Sequence, residues 1–131
     1  MRMLGKDEEA DEGAEVSWGD QQKINSFSKL NTRMRSLTEK MEVLKQEKEA
    51  LDDLALELEL ADEDDPVMYR IGEAFVHMSH VRAMKRLSSD QKAVNAALEE
   101  LGSRVDECAS EMKELKITLY AKFGSAINLD E

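Results

Sequence analysis

Val67-Met68-Tyr69-Arg70-Ile71-Gly72-Glu73-Ala74-Phe75-Val76-His77-Met78 lies near the middle of a 131-residue chain. Two short β-prone runs flank a Gly-Glu pair. Glycine supplies a positive φ at little steric cost, so the pattern predicts a β-hairpin with a two-residue turn. Pairing Ile71 with Ala74 puts Val67, Tyr69, Ile71, Ala74, Val76 and Met78 on one face. Met68, Arg70, Phe75 and His77 fall on the other. The first face is wholly apolar. A slip of one residue would turn it to water, so the register is well specified.

On either side of the hairpin the apolar period changes from two to seven. Before it, one row runs Phe27, Met34, Met41, Lys48, Ala55, and a second runs Leu30, Leu37, Leu44, Leu51, Leu58. These are the two core positions of a coiled-coil heptad. Lys48 alone breaks the pattern, and its stem can lie along the seam while its ammonium reaches water. After the hairpin, the rows are Leu87, Val94, Leu101, Cys108, Leu115 and Gln91, Leu98, Val105, Met112, Leu119.

The ends of the helices are also legible. Ser17 followed by Asp20 has the form of a capping box, which starts helix 1 near residue 18. Asp62, Glu63, Asp64, Asp65 and Pro66 stop it near residue 60, because carboxylates oppose the helix C-terminus and proline disfavours helix at the preceding residue. The acidic run is not a calcium loop: proline and apolar residues stand where that loop needs glycine and further oxygen ligands. Ser79 is a plausible N-cap for helix 2, and Gly124 after Phe123 is its expected C-terminal cap, with Lys122 well placed in the last turn. Ser88-Ser89-Asp90 is a competing helix start, so the sequence leaves a kink or break open there. Gly102 weakens the middle by ~1 kcal/mol relative to alanine.

Two helices of about equal length, each ~60 Å, joined by a short hairpin, fold back on each other. The expected fold is mainly α: a long antiparallel two-helix coiled coil closed by one β-hairpin, with helix 1 about 18–60, hairpin about 67–78, helix 2 about 80–123 and a short tail 124–131. Facing positions fit two registers, and the sequence does not choose between them. Residues 1–15 carry two basic and six acidic side chains. They bury too little to offset their entropy and read as a disordered acidic tail.

Two features then point outward. The helix seams use each other, so the apolar hairpin face needs neighbours from other chains; an isolated hairpin is marginal in water. The residues expected to carry oligomerisation are Val67, Tyr69, Ile71, Gly72, Ala74, Phe75, Val76 and Met78. At the opposite end, Trp18, Ile24, Phe27, Leu119, Tyr120, Phe123, Ile127 and Leu129 gather. Phe27 and Leu119 lie on the heptad rows; the other six do not. An exposed apolar group of this size marks a partner surface.

Composition narrows the classes. Twenty-nine acidic against 18 basic residues give a net charge of −11. That balance argues against DNA or an anionic membrane as the main partner. No apolar run approaches a membrane span, and the acidic N-terminus lacks the form of a signal peptide. No phosphate loop, nucleophile elbow or metal signature is present, so neither catalysis nor a cofactor or metal is expected. His77 and His80 have metal-like separation but sit on a strand and a helix start that differ in direction. Cys108 falls on a heptad row and reads as a small buried hydrophobe.

The order helix, single hairpin, helix resembles the β-type subunits of the prefoldin family. Tyr69, Ile71, Gly72 and Phe75 match the family's Tyr-x-Ile-Gly-x-x-Phe pattern. Asp20-Gln21-Gln22-Lys23-Ile24-Asn25, Leu119-Tyr120-Ala121-Lys122-Phe123-Gly124 and Ile127-Asn128-Leu129 match at the ends. The resemblance covers residues 16–131. It implies a co-chaperone heterohexamer of two α-type and four β-type subunits, joined by their hairpins into a double β-barrel. It also implies coiled-coil tips that hold unfolded clients such as actin and tubulin and pass them to the group II chaperonin without nucleotide. The implied location is the cytoplasm, with the nucleus also open. His80-Val81-Arg82-Ala83-Met84-Lys85-Arg86 departs from the acidic first turn usual in the family. Basic groups there oppose the helix dipole by ~0.3–1 kcal/mol each. Two other classes compete: a coiled-coil scaffold, which needs neither the apolar hairpin nor the crowded tip, and an acidic transcriptional cofactor acting through residues 1–15.

Overall fold

The computed structural model describes residues 2–3, 15–124 and 127–129. In chain order the elements are β1 (Arg2–Met3), α1 (Trp18–Leu60), β2 (Val67–Ile71), β3 (Ala74–Met78), α2 (His80–Phe123) and β4 (Ile127–Asn128). β2 and β3 pair antiparallel with Ile71 opposite Ala74 and Val67 opposite Met78. β1 pairs antiparallel with β4, Arg2 opposite Asn128 and Met3 opposite Ile127.

Local chemistry sets these boundaries. The Asp20 amide donates to Ser17 Oγ and the Ser17 amide to Asp20 Oδ2, each at 3.1 Å. This reciprocal box satisfies helix-start donors that would otherwise lack partners. α1 ends where the Asp64 amide donates to Asp62 Oδ1 at 3.0 Å and the Asp65 amide to the Asp62 carbonyl at 3.1 Å, just before Pro66. Gly72 has φ 63°, and no residue other than glycine has positive φ among those described. A glycine in that region at the first central position is the requirement of a type II′ turn, whose twist matches the strands it joins. Ser79 Oγ accepts the Arg82 amide at 3.3 Å and caps α2. Gly124, φ 56°, closes its far end.

α2 is one continuous helix through Ser88-Ser89-Asp90, so the competing start does not break it. The reason is that Asp90 spends its carboxylate on side chains rather than on a new cap, as described below. The segment expected to be a disordered tail contributes β1 at Arg2–Met3; the remainder of that expectation, residues 4–14, lies outside the described residues.

The chain divides into two compact units. The hairpin unit is Lys40–Gly102; the end unit is Met1–Glu39 with Ser103–Glu131. Within each, the helices run antiparallel with the heptad rows inward. Leu30, Leu37, Leu58, Leu87, Val94, Cys108 and Leu119 are buried, and Lys48 is exposed. Cys108 donates its thiol to the Leu30 carbonyl at 3.2 Å. A fully buried leucine contributes about 1.5–3 kcal/mol, so a single narrow seam can hold two long helices together.

Candidate binding surfaces at the hairpin and at the chain ends

In the hairpin unit, Leu58, Tyr69, Ala83 and Leu87 form a buried cluster, against which Leu51, Leu54, Ala55, Val67 and Met78 pack. This corrects one expectation. The helices do cover part of the apolar hairpin face: the inward residues nearest the helix ends cannot leave them and join the last layer of the seam. Tyr69 is buried, and Val67 and Met78 are half-buried.

Nearer the turn the cover stops. Ile71 is 38% exposed and Val76 42%; on the opposite face Met68 is 54% exposed and Phe75 60%. Ala74 and Gly72 are exposed as well. The outer half of the hairpin therefore presents Ile71, Phe75 and Val76 to water, Met68 adds to the second face nearer the base, and β2 and β3 each keep an open edge among the described residues. A cleft of about 380 Å³, lined in part by Leu51, Leu54, Ile71 and Val94, opens beneath it.

Polar side chains fix the hairpin to the helices. The Tyr69 hydroxyl donates to Asp90 Oδ2 at 2.7 Å, and Arg86 Nε donates to both Asp90 oxygens at 3.2 Å. Burial, then the Asp90 carboxylate, pushes the Tyr69 phenol far above its ordinary range. His80 is buried, with Nε2 2.7 Å from the Leu58 carbonyl. That carbonyl lies in the last turn of α1, which has no basic side chain of its own. Since a carbonyl can only accept, His80 donates there and fills a helix-end vacancy. The sequence reading missed Asp90, Arg86 and His80 in these roles. It also missed Leu60, Val81 and Met84, which are 90%, 61% and 38% exposed. Their signal was available: they are apolar residues off the seam, beside the hairpin.

In the end unit, Ile24, Phe27, Leu119, Phe123, Ile127 and Leu129 bury one another, with Val16, Met112, Leu115 and Tyr120 packed around them. The expectation of an exposed patch is therefore corrected for Ile24, Phe123, Ile127 and Leu129. Ile127 and Leu129 pack against the helix residues Ile24, Phe27, Leu119 and Phe123. The Leu129 amide donates to the Tyr120 hydroxyl at 3.4 Å. Lys122 Nζ donates to Asp20 Oδ2, joining the end of α2 to the start of α1. This contact and the Ser17 cap lower the Asp20 pKa to about 2. Trp18 is 75% exposed and Ile117, which was not singled out from the sequence, 61%. Phe27, Met34, Ala109, Met112 and Leu129 line an open groove of about 430 Å³.

Among the described residues, no group of three or more His, Cys, Asp and Glu could hold a metal ion. None of their helices is long and apolar enough to cross a membrane.

A pair of long helices joined by one two-stranded antiparallel hairpin defines the class of fold. Residues 21–126 match the prefoldin subunit family, and the chain belongs to that family. It is similar to prefoldin subunit 4 of Saccharomyces cerevisiae, 40% identical over 116 residues, which cover 88% of this chain and 90% of the relative. Prefoldin subunit 4 of Homo sapiens is 37% identical over 122 residues, covering 92% and 91%. The crystal structure of the prefoldin beta subunit from Thermococcus strain KS-1 superposes with a TM-score of 0.74 at 14% identity, over 85% of this chain and 97% of that one. The fold is thus the β-type prefoldin fold. Membership makes the chain a non-enzymatic chaperone component that assembles with other prefoldin subunits.

Proposed function

We propose that this chain fills the subunit 4 place in a prefoldin heterohexamer of two α-type and four β-type subunits. The exposed apolar side chains of the hairpin carry the reading. Met68, Ile71, Phe75 and Val76 stand open beside unpaired strand edges. Sister hairpins adding to those edges would satisfy backbone donors and bury apolar faces in one step.

The chain ends hold unfolded clients, actin and tubulin among them, and release them to the group II chaperonin in the cytoplasm without nucleotide. Trp18 is the residue a client meets directly. Tyr120 and the groove lined by Phe27 and Leu129 add apolar surface in the same unit, while Ile24, Leu119, Phe123 and Ile127 build the support beneath. Each tip binds weakly; several tips acting together raise avidity by ~10²–10⁴. The acidic exterior keeps loaded and empty complexes apart.

The test is suppression of aggregation of a denatured client by the reconstituted complex. Trp18→Ser is expected to leave the complex intact and slow client capture several-fold. Unchanged capture by an intact complex would remove the tip role.

A further inference from the structure

We infer that the cleft beneath β2 is a socket for one large apolar side chain, carried by the strand that a sister prefoldin subunit adds to the outer edge of β2. This rests on the hairpin reading proposed above and gives one of the hairpin's two edges a partner-selecting site.

The socket follows from small residues. Ala50 of α1 and Ala93 of α2 each precede a seam residue, Leu51 and Val94. With only a methyl group at either position, a cleft of about 380 Å³ remains between α1, α2 and β2. That volume falls in the range of clefts that enclose a ligand group, ~300–1,000 Å³. Leu51, Leu54, Ile71 and Val94 supply the rest of its apolar lining. Leu51 stands on a heptad row yet is only half-buried, as is Leu54, and Ile71 is 38% exposed. A side chain seated among them would take this apolar surface out of water.

The walls are held in place before any partner arrives. Tyr69, Arg86 and Asp90 also line the cleft, and their side chains are joined by the hydrogen bonds described above. A preorganised wall loses little freedom on binding.

Only β2 borders this site; no residue of β3 lines it. Ile71 and Ala74 flank the two-residue turn, so Ile71–Ala74 and Tyr69–Val76 are the hydrogen-bonded pairs of the hairpin. The backbone groups of Met68 and Arg70 then point outward from β2. A strand added there bonds to Met68 and Arg70 and sets the side chains opposite Tyr69 and Ile71 on their face of the sheet. Both of those residues line the cleft, so the added strand brings its own side chain over the opening. Backbone pairing gives affinity without regard to sequence; the socket adds the demand for a large apolar residue at that one position.

The experiment uses the full chain mixed with the other prefoldin subunits, with entry into the complex titrated by native mass. Ala93→Trp and Ala50→Trp each fill the cleft from an exposed helix position. Each is expected to enter about 10- to 100-fold more weakly, the loss of one buried apolar side chain. Ala96→Trp, at an exposed position outside the cleft, should enter normally. A photoreactive side chain in place of Glu47, which lines the cleft, should crosslink to a hairpin strand of one sister subunit. Normal entry of either filled-cleft chain would overturn the socket. So would the absence of a crosslink to a sister hairpin, whether or not a client or a second copy of this chain is labelled instead. If Ile71→Lys with Val76→Lys still prevents entry, the hairpin reading survives that result; if this pair also enters normally, both fall.

Discussion

The Tyr69 hydroxyl donates to Asp90 Oδ2 at 2.7 Å, joining residues 21 positions apart. One hydrogen bond thereby fixes the angle at which the hairpin leaves the helices. Tyr69→Phe removes the donor from a buried site and should cost about 2 kcal/mol in chemical denaturation. Asp90→Ala made on top of Tyr69→Phe should cost less than it does alone, since the shared bond is already gone.

The same tyrosine sets an alkaline limit. Its phenol is held well above the ordinary value of 10.0, by burial first and Asp90 second. The folded chain keeps this proton where the unfolded chain loses it. The contribution is complete below pH ~10 and lost as pH rises beyond it. Tyr69→Phe should flatten the alkaline arm of a stability–pH curve.

Asp20 acts in the opposite direction. Lys122 first, then Ser17, lowers its pKa from 3.8 to about 2. Its contribution is present above pH ~4 and is lost as pH falls through about 2. Asp20→Asn should flatten stability across that window, and Ser17→Ala should cost about 1 kcal/mol through the lost cap. Thermal melts across the acid range would read both.

Two glycines separate backbone need from slack. Gly102 lies inside α2, and a Cβ built there meets nothing within 4 Å. Gly102→Ala should stabilise by about 0.5–1 kcal/mol. Gly72 also has open space around it but sits at φ 63°, so Gly72→Ala should destabilise by about 1 kcal/mol. Denaturation midpoints moving in opposite directions would confirm the contrast.

At the chain ends, burial divides residues that look alike in sequence. Trp18 is 75% exposed and Phe123 1%. Trp18→Ser should change stability by less than about 0.5 kcal/mol, whereas Phe123→Ser should cost about 3–5 kcal/mol and loosen the end unit. Equal melting temperatures for the two variants would contradict the buried cluster.

The legible features share a physical trait: they are local. The Ser17–Asp20 box, the Gly72 turn, the Ile71–Ala74 register and the heptad rows each follow from spacings of seven residues or fewer, and the structure has all four. What the sequence hid depends on distant partners. Ser88-Ser89-Asp90 has the composition of a helix start, yet Asp90 serves Tyr69 and Arg86 and the helix runs on. Leu129 has no periodic neighbours, and its place in the cluster with Phe27 and Leu119 is a tertiary contact. The hairpin's inner half was misjudged for the same reason. Alternation reports which side chains share a face, while the depth to which the helix ends cover that face is a tertiary fact.

The most direct test of assembly through the hairpin is native mass measurement of the chain mixed with the other prefoldin subunits. The unaltered chain should enter a single six-subunit species. Ile71→Lys with Val76→Lys should leave it folded and alone, with its helical signal retained. A doubly substituted chain that still reaches the six-subunit mass would show that the exposed half of the hairpin does not hold the assembly together.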